Sequence, residues 1–186
     1  MVIYLFIPFT NTQNNQELLS MGTRWVTSFN KDPRGKEPPK LLFHNTGLNK
    51  PLNIINQNDT LYILAHGHFN MPGYVANVRN GNCLAMDHTA LATILKVSGL
   101  PLNHKRVKLY ICNASGQMRK FASDFKRTMQ NMGYNLIDVY FYDSSVGVPA
   151  EFSDGQYHKD GVHFDGGGNV ELTPRFRASE VRHRVL

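Results

Sequence analysis

Cysteine is nearly absent: only Cys83 and Cys112 occur among 186 residues. That excludes a disulfide framework and points to a reducing compartment, where a thiol is free to do chemistry. Acidic residues are also in short supply, 14 against 20 Lys and Arg, giving a formal charge of +6 and a pI of about 9.4. Such a surface suits a polyanion. A basic nucleic-acid binder is disfavoured, because no reading motif is present and the aromatics fall mainly in strand-like runs that a core would claim. Long apolar runs are missing too; none approaches the roughly 20 residues of a membrane span. The apolar start, Met1 to Pro8, has neither a basic leader region nor a small-residue cleavage site, so it reads as a first strand rather than a secretory signal. The expectation is residence in a cytoplasm, or delivery to a host cytosol without a cleaved signal peptide.

What is present is a globular composition, 41% hydrophobic and 18% charged, long enough for one domain over residues 1–186. Val2 to Ile7 reads as a strand stopped by Pro8, and Gln13 to Phe29 as a helix. After a charged loop over 30–40, Leu41 to Phe43 suggests a short strand. Thr60 to Ala65 is a continuous apolar run suited to burial on both faces. Asp87 is a natural N-cap for a helix over His88 to Val97, closed by Gly99 and Pro101. Arg106 to Ile111 is the next strand. Gly116 to Met132 reads as a helix with a stripe of Met118, Phe121, Ala122, Phe125 and Met129, stopped by Gly133. Leu136 to Tyr142 follows as a strand. Residues 154–174 read as a hairpin or flap turning at 165–169, and 175–186 as a basic tail. This alternation predicts an α/β fold, a mostly parallel sheet sandwiched by helices, with a C-terminal β-hairpin.

Two strand ends carry the chemistry. The first run ends on His66-Gly67, the second on Cys112. In parallel sheets ligands bind beyond the carboxyl ends of the strands. A histidine and a cysteine at that edge would form a base and a nucleophile, since the thiolate attacks carbonyl carbon and imidazole can take its proton. The predicted helix after Cys112 would favour the thiolate. Gly67 permits a sharp turn, so the backbone amides of Gly67 and Cys112 are candidate oxyanion donors.

An apolar strand ending in His-Gly, followed by an apolar strand ending in cysteine, resembles the caspase–gingipain group of cysteine peptidases (clan CD). The resemblance covers the order of elements from Met1 to Tyr142. It implies a caspase-like fold, a thiol endopeptidase activity and a protein or peptide substrate that is cleaved or autoprocessed. The late hairpin is similar to the flap of the bacterial toxin and effector members, whose activator is inositol hexakisphosphate. The context after the nucleophile, Asn113-Ala114-Ser115-Gly116, departs from the caspase pattern and leaves aspartate specificity without support. The related families build their first specificity pocket partly from the strand after the nucleophile's helix, so the resemblance makes Asp143, at the end of that strand, the candidate acceptor of a basic substrate side chain.

Blander readings stand beside these. A single cysteine is often only a small hydrophobe, and a non-catalytic α/β binding module would keep the fold without the activity. Cys83 is a weaker rival nucleophile. His66-x-His68 with Cys112 could hold zinc, but no further firm ligand stands out and the sequence favours no metal. His44, His88 and His104 read as solvent-facing. His158 and His163 read as cross-strand neighbours. The Gly166–Gly168 run reads as a turn. Arg119, Lys120, Lys126, Arg127 and the tail arginines are either an anion site or solvated charge.

Overall fold

The computed structural model describes residues 1–10, 15–31, 37–68, 70–78, 82–112, 116–162 and 176–186. In chain order the elements are β1 (Ile3–Thr10), α1 (Gln16–Lys31), β2 (Lys40–His44), β3 (Thr60–Leu64), β4 (His66–Gly67), β5 (Val75–Ala76), β6 (Ala85–Met86), α2 (His88–Val97), β7 (Arg106–Tyr110), α3 (Met118–Asn131), β8 (Asp138–Tyr142), β9 (Ser145–Glu151), β10 (Tyr157–Val162), β11 (Phe176–Arg177) and β12 (Arg182–Arg184).

Six strands form the central sheet in the order β12-β8-β7-β3-β1-β2. All its pairs are parallel except β12 with β8. The chain therefore steps from β1 outward to β2, then reverses and builds β3, β7 and β8 on the other side. The reversal point lies between β1 and β3, where open α/β sheets place their ligand crevice. The fold is α/β with a mostly parallel central sheet, as the alternation of elements predicts.

Local chemistry explains the elements. β3 is buried at all five positions, the expected result of an apolar run with layers on both faces. Leu61, Ile63 and Leu64 are fully enclosed, each side chain contributing about 1.5–3 kcal/mol by burial. The Asp87 carboxylate accepts a 2.8 Å hydrogen bond from the amide of Ala90 and so caps α2. All five residues of the predicted α3 stripe are buried. Gly133, at φ +102°, ends that helix in a conformation other residues avoid.

Several boundaries differ from the sequence expectation. β1 runs through Pro8 to Thr10, because its pairing with β3 ends at Phe6 and its ladder with β2 shifts register between Ile7 and Thr10. Proline is tolerated where a ladder is already irregular. α1 continues to Lys31, and α3 starts at Met118 after Gly116 at φ +70°. A strand not expected from the sequence precedes the late hairpin region: β9 pairs antiparallel with β10, and the chain reverses at Asp154-Gly155. β11 extends this sheet from the other side of β10. The expected turn at 165–169, the glycine run and His163 lie outside the described residues. The tail is not loose basic chain, since β12 closes one edge of the central sheet. His104 is fully buried, not solvent-facing, with Nε2 2.9 Å from Arg106 O and Nδ1 3.3 Å from Asn56 O. His44 and His88 are also engaged, each 3.0 Å from a hydroxyl, those of Ser98 and Thr128.

Candidate functional site

The register of β3 on β7 is the key dimension. Leu61 faces Val107, Tyr62 faces Lys108, Ile63 faces Leu109 and Leu64 faces Tyr110. The offset is 46 positions throughout (107 − 61), and 46 positions also separate His66 from Cys112 (112 − 66). Each residue lies two positions past the last pair, beyond the carboxyl ends of neighbouring strands, which in a sheet lie roughly 4.8 Å apart.

Alternation along the strands assigns the face. Tyr62 and Tyr110 share parity with His66 and Cys112, and both rings pack on Trp25 of α1, at 5.0 and 4.7 Å between centroids. Contacts of the two residues agree. His66 Nε2 lies 3.0 Å from Glu17 Oε2 in the first turn of α1. The Cys112 thiol donates to Val146 O of β9 at 3.5 Å. Both side chains therefore occupy the face covered by α1 and the β9–β10 hairpin. α2 and α3 pack together on the opposite face. His66 is almost wholly buried and Cys112 is partly exposed.

β9 is fastened over this face by side-chain donors. Tyr110 Oη donates to Gly147 O, Cys112 Sγ to Val146 O, and Ser28 Oγ to Pro149 O at 3.0 Å. Burial pushes the Tyr110 hydroxyl well above its ordinary pKa, with Tyr142 and Tyr62 adding to the effect, so it stays a neutral donor.

Deeper on the same face is a cationic cluster that sequence reasoning missed. Lys108 Nζ donates to Tyr62 Oη at 3.2 Å, and Lys159 Nζ sits 5.4 Å from the centroid of the same ring. Lys108 and Arg182 each lie 5.8 Å from the Tyr140 ring. Burial lowers the pKa of Lys108, and the nearby charges of Lys159 and Arg182 lower it further, against the opposing pull of Tyr62. Burial alone would raise the Tyr62 hydroxyl, but Lys159 and Lys108 outweigh it and lower its pKa. Of the cations that the sequence left open as an anion site or solvated charge, Arg182 joins this cluster and several others are engaged elsewhere. Lys120 and Arg127 both engage Asp124, Lys126 donates to Val185 O, Arg177 engages Asp154, and Arg184 engages Asp138.

Other candidates fare differently. Gly67 does not turn sharply; it continues in extended backbone as β4, with Val75 opposite. His68 is buried, and among the described residues no group of three or more His, Cys, Asp or Glu is arranged to hold a metal. α3 begins at Met118, and the segment joining it to Cys112 lies outside the described residues. Asp143 directly follows β8, the strand beyond β7, and its carboxylate is 2.6 Å from His183 Nε2. His158 is held 3.0 Å from Asp154. Cys83 and Cys112 are both free thiols. A cleft of about 330 Å³ opens between the first turns of α2 and α3, lined in part by Tyr74, Asp87, His88 and Phe121; it belongs to the other face, and neither His66 nor Cys112 reaches it. Among the described residues no helix is long and apolar enough to cross a membrane.

Compared with the known protein families and with curated proteins, the chain matches none.

Proposed function

We propose that the chain is a cysteine endopeptidase of the caspase–gingipain type, with Cys112 as nucleophile and His66 as general base. The observation that supports this reading is the parallel register of β3 on β7, with His66 and Cys112 each two residues beyond its last pair at the ligand edge of the sheet. In the reaction, His66 takes the Cys112 proton and the thiolate adds to a peptide carbonyl. The oxyanion is met by backbone amides, for which Gly67 and Cys112 are the candidates. Collapse forms a thioester and breaks the peptide C–N bond, with His66 returning its proton to the departing amine. Water, deprotonated by His66, then hydrolyses the thioester and restores the thiol.

Inositol hexakisphosphate fits this reading as an activator. Lys108, Lys159 and Arg182 converge on Tyr62 and Tyr140, and the mutual repulsion of these cations would be relieved by a polyphosphate. The group would supply charge neutralisation only, not chemistry at the sulfur. The second reading is a non-catalytic module of the same fold. It draws on the Cys112–Val146 hydrogen bond, which gives the thiol a structural role.

The test is covalent labelling with a panel of peptidyl acyloxymethyl ketones that differ in the residue before the warhead, with and without inositol hexakisphosphate. The expected result is labelling at Cys112 that disappears in Cys112→Ala, is strongly reduced in His66→Ala, and rises with the polyphosphate. Labelling that survives Cys112→Ala, or a wild-type Cys112 that no probe labels under either condition, overturns the peptidase reading. Labelling indifferent to the polyphosphate removes only the activator.

A further inference from the structure

We infer that Glu17 is the positioning residue of the His66–Cys112 pair, a role that rests on the peptidase reading above and extends it to a third side chain. Its Oε2 lies 3.0 Å from His66 Nε2, although the Glu17 side chain is 56% exposed and the His66 side chain only 3%. A first-turn acid is favoured at any helix N-terminus, and that accounts for a carboxylate in α1. It does not account for an exposed carboxylate reaching a buried ring.

The surrounding fold fixes that reach. The carbonyl of Asn15 opens α1 by accepting from the amide of Leu19, and the Asn15 side chain donates to Thr10 O at the end of β1. The first turn is thus tied to the strand beside β3. Two turns on, Trp25 packs against Tyr62 and Tyr110, on the two strands that lead into His66 and Cys112. Leu18, next to Glu17, is fully buried and locks the rotation of the helix. Three anchors therefore hold Glu17 over the strand ends.

The chemistry follows from the contact. The contact is an ion-pair distance without hydrogen-bond alignment, so Glu17 acts on the ring through its charge. When His66 takes the Cys112 proton, the imidazolium is stabilised by that carboxylate, which draws the thiol toward ionisation. Among the described residues, the titratable groups near His66 include Glu17 from α1, Cys112 two residues beyond β7, and His68 two residues on; β5 brings Val75 and Ala76. Because Glu17 is half in solvent, water screens part of its effect on His66.

The experiment uses the full chain with two readouts. One is the nitrogen NMR titration of the His66 ring, which reports tautomer and protonation midpoint. The other is the rate of iodoacetamide alkylation at Cys112 against pH, quantified on the Cys112 peptide so that Cys83 does not contribute. In Glu17→Gln the His66 midpoint should fall by about one pH unit. The acid limb of the alkylation profile should move to higher pH, slowing alkylation up to about tenfold below the midpoint. Glu17→Asp should restore part of both, which a packing role for the longer side chain would not. A Glu17→Gln protein with unchanged midpoint and profile overturns the inference. His66→Ala separates the two ideas: if it changes the alkylation profile while Glu17→Gln does not, the pair stands and Glu17 falls. If His66→Ala leaves the profile untouched, the pair falls and takes Glu17 with it.

Discussion

At the scale of single residues, the sulfur and the imidazole are surrounded by groups whose job is to hold shape. Tyr110 shows this most clearly. Its ring joins Trp25, Tyr62 and Tyr142 in one buried aromatic row, and its hydroxyl donates to Gly147 O. Tyr110→Phe keeps the ring and removes the donor, leaving a carbonyl of β9 without that bond. The expected cost is about 1–2 kcal/mol in urea unfolding, together with faster amide exchange in β9. Unchanged exchange there would show that the hydroxyl does not fasten the strand. The two central residues were legible in the sequence because each ends an apolar run. Glu17 was not: it lies 49 positions from His66 (66 − 17), and nothing in a helix's first turn says which strand end it overhangs. Lys108 and Lys159 were hidden for the same reason, since a lysine inside a strand announces exposure until another element covers it.

At the scale of elements, apolar periodicity and capping chemistry served well where packing agreed with them. α2 matches its predicted span because Asp87 caps it and Gly99, at φ +89°, releases the chain. β9, Ser-Val-Gly-Val-Pro-Ala-Glu, was missed because it contains glycine and proline that read as loop. It is a strand because β10 pairs along it and the Tyr110, Cys112 and Ser28 side chains tie down its carbonyls. β4 to β6 were invisible for another reason: two-residue strands carry no period to detect. The small sheet of β9, β10 and β11 has its own weak point. A Cβ added at Gly161 would fall 2.0 Å from the Phe176 ring. Gly161→Ala should therefore pry β11 from β10, destabilising the chain by about 1–3 kcal/mol and opening 176–186 to limited proteolysis. A variant as stable and as protease-resistant as the parent would show that the ring relocates at no cost.

At the scale of the whole molecule, the doubly wound order was predictable in class, because strands alternating with helices leave few right-handed solutions. The antiparallel edge strand was not, since Arg-His-Arg reads as surface charge until β8 pairs with it. Charge also sets how the fold responds to acid. Burial lowers the pKa of His104, against the opposing effect of its bonds to the carbonyls of Arg106 and Asn56, and burial lowers His44 as well. The unfolded chain therefore binds more protons than the folded one just below the ordinary histidine range. Stability from these groups is fully present above about pH 6.5 and is lost as pH falls through their folded values. The melting temperature should drop between pH 7 and pH 5, and His104→Gln should flatten that slope whatever it does to the absolute value. A slope unchanged by the substitution would assign the acid sensitivity elsewhere.

The hydrogen bond from Cys112 to Val146 has a consequence for how reactivity and shape are tied together. A thiol can donate that bond; a thiolate cannot. Ionising the sulfur therefore gives up one of the fastenings of β9, and lifting β9 removes one reason for the proton to stay. The two events are thermodynamically reciprocal, so whatever favours one favours the other by the same free energy. The strand that roofs the sulfur is in this sense a ligand of its proton: the two are held together and released together.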